Sequence, residues 1–438
     1  MRKKMGAKIV AFGLSAFMLL GLTACSGSAD PSNADSGEGG ENELHEITLQ
    51  VGSDSALAGL EEVCKLAESE IGIKVDIEYT VAGTDTDNLI KTRLSTGDLA
   101  DVLVYSPGAL LMTLNPSEHF INLSEYDFVD KLDETYKSAV SDDNGVYGVP
   151  MGTTRAGAVM YNKNLYDELG LEVPKTWDEF LSNCDKIEAA GKNAIICTMG
   201  TSYTIQVPVL GDMYNVLADN PDFISEFEKG EVGFANIPEG VTSFQKLADT
   251  VPYYQDGYTA ATYDDGCEML VSGDYGHWIM LTSALTNISS LYSDNINDIG
   301  VFAIPGDDPE NVGITAWMPN GLYGNKDSDK QEDIVKFLEF FVSEKAVETY
   351  LANDAVTGPL CVKGVEYPEN TPEAVTNDMQ SYYDSGKVSL AQEFLTQVKG
   401  SATTEVCSSL ITGQYNVEQA AEAYDDDCWK QAEQLGIK

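Results

Sequence analysis

The early part of the chain alternates between segments with strand periodicity and segments with helix periodicity. Apolar residues recur at helical spacing in 55–72 and 86–98, and apolar, β-branched segments flank them at 47–53, 73–83 and 99–108. Parallel strands of one sheet need a crossover connection, and a helix is the usual one. The order therefore predicts βαβ units, in which helices cover both faces of a parallel sheet.

The N-terminus has the order of a secretory signal, with basic residues followed by an apolar run from Ile9 to Leu22. A spanning helix needs roughly 20 apolar residues, so a permanent membrane helix is the less favoured alternative. The run ends in LTAC, which resembles the lipobox of bacterial lipoproteins, where the cysteine is acylated and becomes the first residue after cleavage. We predict a signal peptide over 1–24, a lipid anchor at Cys25 and a flexible polar linker over the rest of 25–43.

The chain is strongly acidic, with 26 basic and 71 acidic residues and a formal net charge of −45. Nucleic-acid binding requires clustered Lys and Arg, so the composition excludes that class of partner. A solvated acidic surface is the simplest interpretation, and a site for a cationic ligand is the alternative. The residues beyond 43 are too many for one compact core and suit two domains.

Cysteine and histidine do not form a pattern typical of a redox or metal site. Seven of the eight cysteines follow Cys25 at wide spacings without a CxxC pair, and we interpret them as mostly buried small apolar residues. The three histidines lie far apart in sequence, which disfavours zinc binding and Ser-His-Asp catalysis. We expect no metal and no cofactor.

Two local signals mark turns and helix starts in the middle of the chain. Asn144-Gly145 predicts a turn between short strands, whereas a calcium loop is disfavoured because the ligand spacing does not fit. Thr176 and Glu179 are three residues apart and predict a capping box that starts a helix.

Seven motifs follow one another in an order typical of family 1 extracellular solute-binding proteins. They are GDLADVLVY (97–105), VYGVP (146–150), VMYNKNLYDELGL (159–171), VPKTWDEF (173–180), CEMLVSGDYGHW (267–278), IGVFAIPG (299–306) and DIVKFLEFFVSEKAVETYL (333–351). Each motif alone is weak, but together the seven resemble the maltose-binding-protein-like subunits that capture sugars for bacterial ATP-driven importers.

The resemblance implies an α/β protein with the two-lobe periplasmic-binding-protein-like fold, in which three hinge crossings join the lobes around a central ligand cleft. We place the crossings near 151–156, 296–300 and 353–361. The N-terminal lobe is expected to comprise 44–152 and 300–353, and the C-terminal lobe 153–299 and 354–438. Changes of φ and ψ at the crossings would close the lobes on a ligand.

Sugars present C–H faces that stack on aromatic rings and hydroxyls that need polar partners. In the first lobe, the resemblance implies ligand contacts from Asp54 and Tyr105. An N-cap role for Asp54 and a rim position for Tyr105 are the alternatives, and Asp101 is interpreted as structural. At the hinge, Arg155 is a further candidate, and an ion pair with a carboxylate is its alternative role.

The resemblance implies three aromatic contacts in the second lobe, from Tyr203, Trp278 and Trp317. Core packing is the alternative role for Trp278. We interpret Trp177 and Trp429 as helix-packing residues.

The resemblance implies a non-catalytic, monomeric lipoprotein on the extracytoplasmic face of the cell membrane. It would capture a neutral oligosaccharide and deliver it to the transmembrane permease of an ABC importer. A binding protein for a cationic or other small solute is one alternative. A secreted glycoside hydrolase is another, because a catalytic pair of carboxylates can be present among so many acidic residues.

Overall fold

The computed structural model describes residues 44–52, 57–80 and 84–437, so Cys25, the linker and Asp54 lie outside the described residues. The described part of the chain contains the strands β1 (His45–Gly52), β2 (Ile73–Thr80), β3 (Val102–Tyr105), β4 (Ser141–Asp142), β5 (Gly145–Val146), β6 (Gly148–Pro150), β7 (Arg155–Asn162), β8 (Asn193–Ile196), β9 (Tyr275–Leu281), β10 (Ile299–Phe302), β11 (Ile314–Trp317), β12 (Gly321–Gly324) and β13 (Val388–Leu390).

Helices connect and cover these strands. The α-helices are α1 (Ala58–Ile71), α2 (Thr84–Thr96), α3 (Ala109–Met112), α4 (Pro116–His119), α5 (Glu134–Ala139), α6 (Lys163–Leu169), α7 (Trp177–Ala189), α8 (Val207–Leu210), α9 (Met213–Asp219), α10 (Phe223–Lys229), α11 (Pro238–Thr250), α12 (Tyr263–Val271), α13 (Ala284–Leu291), α14 (Gln331–Phe341), α15 (Glu344–Asn353), α16 (Gln380–Asp384), α17 (Gln392–Leu395), α18 (Thr403–Ile411) and α19 (Val417–Leu435). Short 3-10 helices cover Asp127–Lys131, Ser202–Gln206, Phe234–Asn236, Val251–Tyr253 and Ser293–Asp298, and a π-helix covers Ala374–Met379. Of the helices described, none is both long and apolar enough to cross a membrane.

The first sheet has the strand order β2-β1-β3-β12-β6. Strand β1 pairs in parallel with β2 and β3, which confirms the predicted βαβ units. Helix α1 ends at Gly72, whose φ of +70° is a left-handed conformation that glycine adopts without steric cost. Asp101 accepts hydrogen bonds from the Thr48 amide (2.8 Å) and the Ser328 hydroxyl (2.7 Å), so its role is structural, as predicted.

The second sheet has the strand order β13-β11-β7-β9-β8, and β10 also pairs with β7. Strand β7 is antiparallel to β9, β10 and β11. Helix α7 begins with the predicted capping box, in which the Thr176 hydroxyl accepts from the Glu179 amide at 3.3 Å. Contacts between the two sheets and their helices make the chain beyond the linker one compact unit.

The remaining local predictions are also confirmed. Asp142 accepts hydrogen bonds from the amides of Asn144 (2.7 Å) and Gly145 (3.1 Å) and holds the turn between β4 and β5. All seven cysteines of the described residues are free and buried.

Sheet membership locates the crossings. The first lies between Pro150 of β6 and Arg155 of β7, within the predicted 151–156. The second differs from the prediction, because β10 and β11 both belong to the second sheet and the chain returns to the first only at β12. This crossing therefore occupies 318–320 rather than 296–300. The buried apolar strand IGVF of β10 suits either sheet, so its pattern could not identify its partner. Helix α15 packs on α1 beside the first sheet and β13 belongs to the second sheet, so the third crossing lies between residues 354 and 387. The predicted range 353–361 and the other lobe boundaries stay predictions.

His277 of β9 is fully buried in the second lobe. Its Nδ1 lies 3.0 Å from the Ala194 carbonyl oxygen and its Nε2 lies 2.6 Å from the Tyr166 hydroxyl. Because a carbonyl only accepts hydrogen bonds, Nδ1 carries the proton and Nε2 accepts from Tyr166. Burial lowers the pKa of His277 to about 3, so the folded protein holds a neutral imidazole.

We expect His277 to make the stability of the protein decrease as the pH falls. The unfolded pKa is about 6.5, so the unfolded chain binds the proton more tightly, and the stabilisation present above pH 6.5 is lost as pH falls towards 3. At about pH 5 the loss should be on the order of 2 kcal/mol. Denaturant unfolding of the wild type and of His277→Gln gives the free energy of unfolding of each protein at about pH 7.5 and at about pH 5. The difference in this free energy between the two proteins should be smaller at the lower pH.

The comparison with His277→Gln is needed because other groups titrate as well. Burial raises the pKa of Asp425 to about 6, so the contribution of this group to stability decreases as pH rises. Asp425 is present in both proteins, and its contribution therefore cancels in the difference between them. If the difference in the free energy of unfolding is the same at the two pH values, His277 does not contribute to the pH dependence of stability.

Candidate ligand-binding site

Strands of both sheets end at the crossings. In the first sheet, Gly321 at the start of β12 lies opposite both Tyr105 at the end of β3 and Pro150 at the end of β6. In the second sheet, Arg155 at the start of β7 lies opposite Trp317 at the end of β11. Ligands of open α/β sheets bind outside the carboxyl ends of strands, so the space beside the crossings is the candidate site.

A cavity of about 330 Å³ lies in this position, which we call the hinge cavity. Its volume is in the range of small-molecule sites, which run from roughly 300 to 1,000 Å³. All three crossings line it, through Gly152, Asn320 and Asp354. Gly152 has a φ of +109°, a conformation that an L side chain rarely adopts, so the first crossing depends on glycine here.

Hydrogen bonds hold the first and third crossings side by side. The Thr154 amide and hydroxyl both donate to the Pro359 carbonyl oxygen at 3.1 Å. The Thr282 hydroxyl donates to the Thr357 carbonyl oxygen at 2.7 Å and accepts from the Ala156 amide at 2.9 Å. These bonds join both crossings to the second sheet and fix the wall of the hinge cavity.

Arg155 supplies the positive charge of the hinge cavity. No described residue accepts a hydrogen bond from its guanidinium or forms an ion pair with it. Burial lowers the pKa of Arg155, and the charge of Glu393 opposes this effect. Taking a charge out of water without a partner is unfavourable, so a bound ligand that accepts hydrogen bonds would relieve the cost.

Asp354 supplies the negative charge. It accepts hydrogen bonds from the Tyr350 hydroxyl (2.9 Å) and the Ala355 amide (2.8 Å), which fix its orientation. Burial, reinforced by Asp354, raises the pKa of Tyr350, so its hydroxyl stays protonated. Each carboxylate oxygen has a second lone pair for a ligand hydroxyl. Ser283 and Thr286 add two hydroxyl groups to the same wall.

Among the described residues, the structure places Arg155 opposite Trp317, whereas Tyr105, Tyr203 and Trp278 do not line the hinge cavity. Trp317 is 8% exposed, opposite Arg155. Tyr203 lies in a 3-10 helix after β8 and is 44% exposed. Tyr105 is buried at the end of β3, and its hydroxyl donates a hydrogen bond to Asp87 at 2.8 Å. The hydroxyl hydrogen of Tyr105 is therefore already used within the protein.

Trp278 lies in the core of the second lobe. Its side chain is 1% exposed, and its ring is 5.4 Å from that of Tyr263. A Cβ atom on Gly266 would lie 2.7 Å from the indole, so the ring fills the space above a glycine. This position suits the core-packing role that the sequence left open. Strand β9 continues past Trp278 to Leu281, and Ser283 is the residue that reaches the hinge cavity.

Four polar residues that line the hinge cavity were not predicted from the sequence: Ser283, Thr286, Asn320 and Asp354. Three of them share a signal that was available, because each comes one or two residues after an apolar segment: Ser283 in IMLTS, Asn320 in WMPN and Asp354 in LAND at the end of helix α15. A polar residue at the end of a strand or helix beside a crossing is therefore the pattern to search for.

Comparison with known proteins agrees with this architecture. The profile of the bacterial extracellular solute-binding protein family matches residues 53–348. The chain is 26% identical to the multiple sugar-binding protein of Streptococcus mutans over 333 residues, which cover 72% of this chain and 74% of that protein. It is 24% identical to the melibiose/raffinose/stachyose-binding protein MelE of Bacillus subtilis over 181 residues, which cover 41% of this chain and 40% of MelE.

Among solved structures, the solute-binding protein RafE of Streptococcus pneumoniae in complex with raffinose superposes with a TM-score of 0.67 at 22% identity, covering 87% of this chain and 98% of RafE. At this identity the likeness shows the fold, which is two lobes around a cleft. Because the family profile spans more than half of the chain, from residue 53 to residue 348, the chain belongs to the bacterial extracellular solute-binding protein family.

Proposed function

We propose that this protein captures a neutral oligosaccharide between its lobes and delivers it to the permease of an ATP-driven importer. The observation that carries the proposal is the unpaired guanidinium of Arg155 in a cavity that all three crossings line. Asp354, Ser283 and Thr286 surround it with acceptors and donors that suit sugar hydroxyls. The relatives named above for melibiose, raffinose and stachyose make these oligosaccharides the first candidates.

The hinge cavity favours neither alternative function. Among the described residues that line it, Asp354 is the only carboxylate, whereas glycoside hydrolysis usually needs two. Arg155 offsets the charge of Asp354 in the same wall, so the described wall offers no net attraction to a cationic solute. We therefore propose a binding protein without catalytic activity.

A titration of the purified protein with raffinose and stachyose tests this function. We expect calorimetry to show saturable binding with little dependence on salt, because the ligand is uncharged. Chromatography of the sugar after long incubation should recover it intact. Shortened products would show an enzyme, and binding that disappears at high salt would show a charged ligand.

We expect Arg155→Met to weaken sugar binding ten- to a hundredfold without lowering the melting temperature. Hydrogen bonds to charged groups contribute about 1.5–3 kcal/mol, and each 1.4 kcal/mol is a factor of ten. Methionine keeps an apolar side chain and removes an unpaired charge, so the unliganded protein loses no interaction. Calorimetry and thermal unfolding of the same sample measure both quantities.

Trp278→Ala is the matched control for Arg155→Met, because the structure places this ring in the core. It should reduce the free energy of unfolding by about 3–5 kcal/mol and leave the affinity of the folded fraction unchanged. If Trp278→Ala weakens binding and Arg155→Met does not, then Trp278 contacts the ligand and Arg155 does not, which contradicts this proposal.

We propose that acyl chains on Cys25 hold the protein at the extracytoplasmic face of the cell membrane as a monomer. Buried acyl chains contribute about 0.8 kcal/mol per CH₂ group, so losing them should release the protein. Cys25→Ala is expected to move the protein from the membrane fraction to the soluble exported fraction with unchanged sugar affinity. A mutant that stays in the membrane fraction would indicate an uncleaved N-terminal helix instead.

A further inference from the structure

Tyr350 links the helices of the first lobe to the wall of the hinge cavity. The residue lies in the last turn of α15, and its side chain is buried. Its hydroxyl donates to Oδ2 of Asp354 at 2.9 Å, and both residues line the hinge cavity. Asp354 is the first residue after α15. The orientation of its carboxylate therefore depends on the place of a tyrosine ring in the helix before it.

Two glycines determine the place of the Tyr350 ring. A Cβ atom on Gly59 of α1 would lie 2.9 Å from Cδ2 of the ring and 3.0 Å from Cε2. A Cβ atom on Gly152 of the first crossing would lie 3.4 Å from Cε1 and 3.4 Å from the hydroxyl oxygen. One edge of the ring therefore contacts α1, and the opposite edge contacts the first crossing.

The hydrogen bonds of Asp354 are divided between its two oxygens. Oδ2 accepts from the Tyr350 hydroxyl, and Oδ1 accepts from the Ala355 amide at 2.8 Å. Within the described part of the chain, no other donor bonds to this carboxylate. The Ala355 amide belongs to the next residue and turns with the same backbone, so the Tyr350 bond is the one that ties the carboxylate to α15. Without this bond, the half-buried side chain could change its rotamer.

We propose that Tyr350 is a positioning residue for ligand binding, which keeps the Asp354 carboxylate turned towards the hinge cavity. The inference rests on the function proposed above, in which Asp354 accepts hydrogen bonds from sugar hydroxyls. An acceptor that is already oriented reduces the conformational entropy lost on binding. Because Gly152 touches the same ring, a change of φ and ψ at the first crossing would move the hydroxyl as well. The path of the first crossing and the orientation of Asp354 are therefore linked.

Tyr350→Phe tests this role, because it removes the hydroxyl and keeps the ring. We expect calorimetry to show about three- to tenfold weaker binding of raffinose, the loss typical of one hydrogen bond. When Tyr350→Phe is added to Asp354→Ala, binding should not weaken further, because the carboxylate that the hydroxyl orients is gone. A tyrosine with a purely structural role would weaken binding by the same factor with and without Asp354, and this result would overturn the proposal.

Gly59→Ala tests whether the place of the ring matters. The added methyl group would lie 2.9 Å from the ring, so the ring has to move. We expect a similar loss of raffinose affinity in the folded fraction, and no further loss when Gly59→Ala is added to Tyr350→Phe. If the two losses add up in the combined variant, the ring acts on binding without its hydroxyl, which contradicts the proposal.

Tyr147→Phe is the matched control, since it removes another buried tyrosine hydroxyl that donates to an aspartate, Asp142, at 2.9 Å. Neither Tyr147 nor Asp142 lines the hinge cavity. Tyr147→Phe should keep the wild-type affinity for raffinose. Wild-type affinity in Tyr350→Phe as well would overturn the role of Tyr350 and leave the proposed function intact.

A crystal structure of the unliganded Tyr350→Phe variant tests the role without a sugar. We expect the Asp354 carboxylate to turn away from the hinge cavity, whereas Tyr147→Phe should keep its orientation. A carboxylate that stays in place in Tyr350→Phe would overturn the proposal. If the wild type binds neither raffinose nor stachyose, the proposed function fails for these sugars, and the orientation of Asp354 in this structure still decides the role of Tyr350.

Discussion

Strand β7 is the element on which the site depends. It begins directly after the first crossing and pairs with β9, β10 and β11, so its register is set from both sides. Its first residue is Arg155, and the pairing places this guanidinium opposite Trp317. A shift of one residue would turn Arg155 to the other face of the sheet. The hydrogen bond from the Ala156 amide to Thr282 secures this register at the hinge end of the strand.

The hinge combines a well-satisfied backbone with an unsatisfied side chain. Thr154 and Thr282 hold the first and third crossings in place, whereas Arg155 next to them keeps its donors free. A ligand that accepts hydrogen bonds from Arg155 gains energy that the empty cavity lacks. Contacts of this kind supply the differential free energy that closing two lobes requires.

The sequence predicted those parts of the structure that local pattern determines. The βαβ order, the turn at Asn144-Gly145 and the capping box at Thr176 follow from residues close together in the chain. The second crossing and the position of Trp278 depend on which strands pair. Periodicity shows that β9 and β10 are buried strands, but it does not identify their neighbours or show which end of β9 faces the cleft. The lipid anchor and Asp54 stay predictions, because they lie outside the described residues.

The charge distribution is compatible with the uncharged ligand proposed above. The net charge of −45 repels anions from the surface, although salt screens this field beyond about 8 Å at physiological ionic strength. Arg155 in the wall of the hinge cavity repels cations at short range, and Asp354 in the same wall repels anions. Either kind of charged solute meets one like and one opposite charge, so this pair gives it little net attraction. The neutral sugar proposed above would donate its hydroxyls to Asp354 and accept from Arg155, and would use both residues without carrying a charge into the cavity.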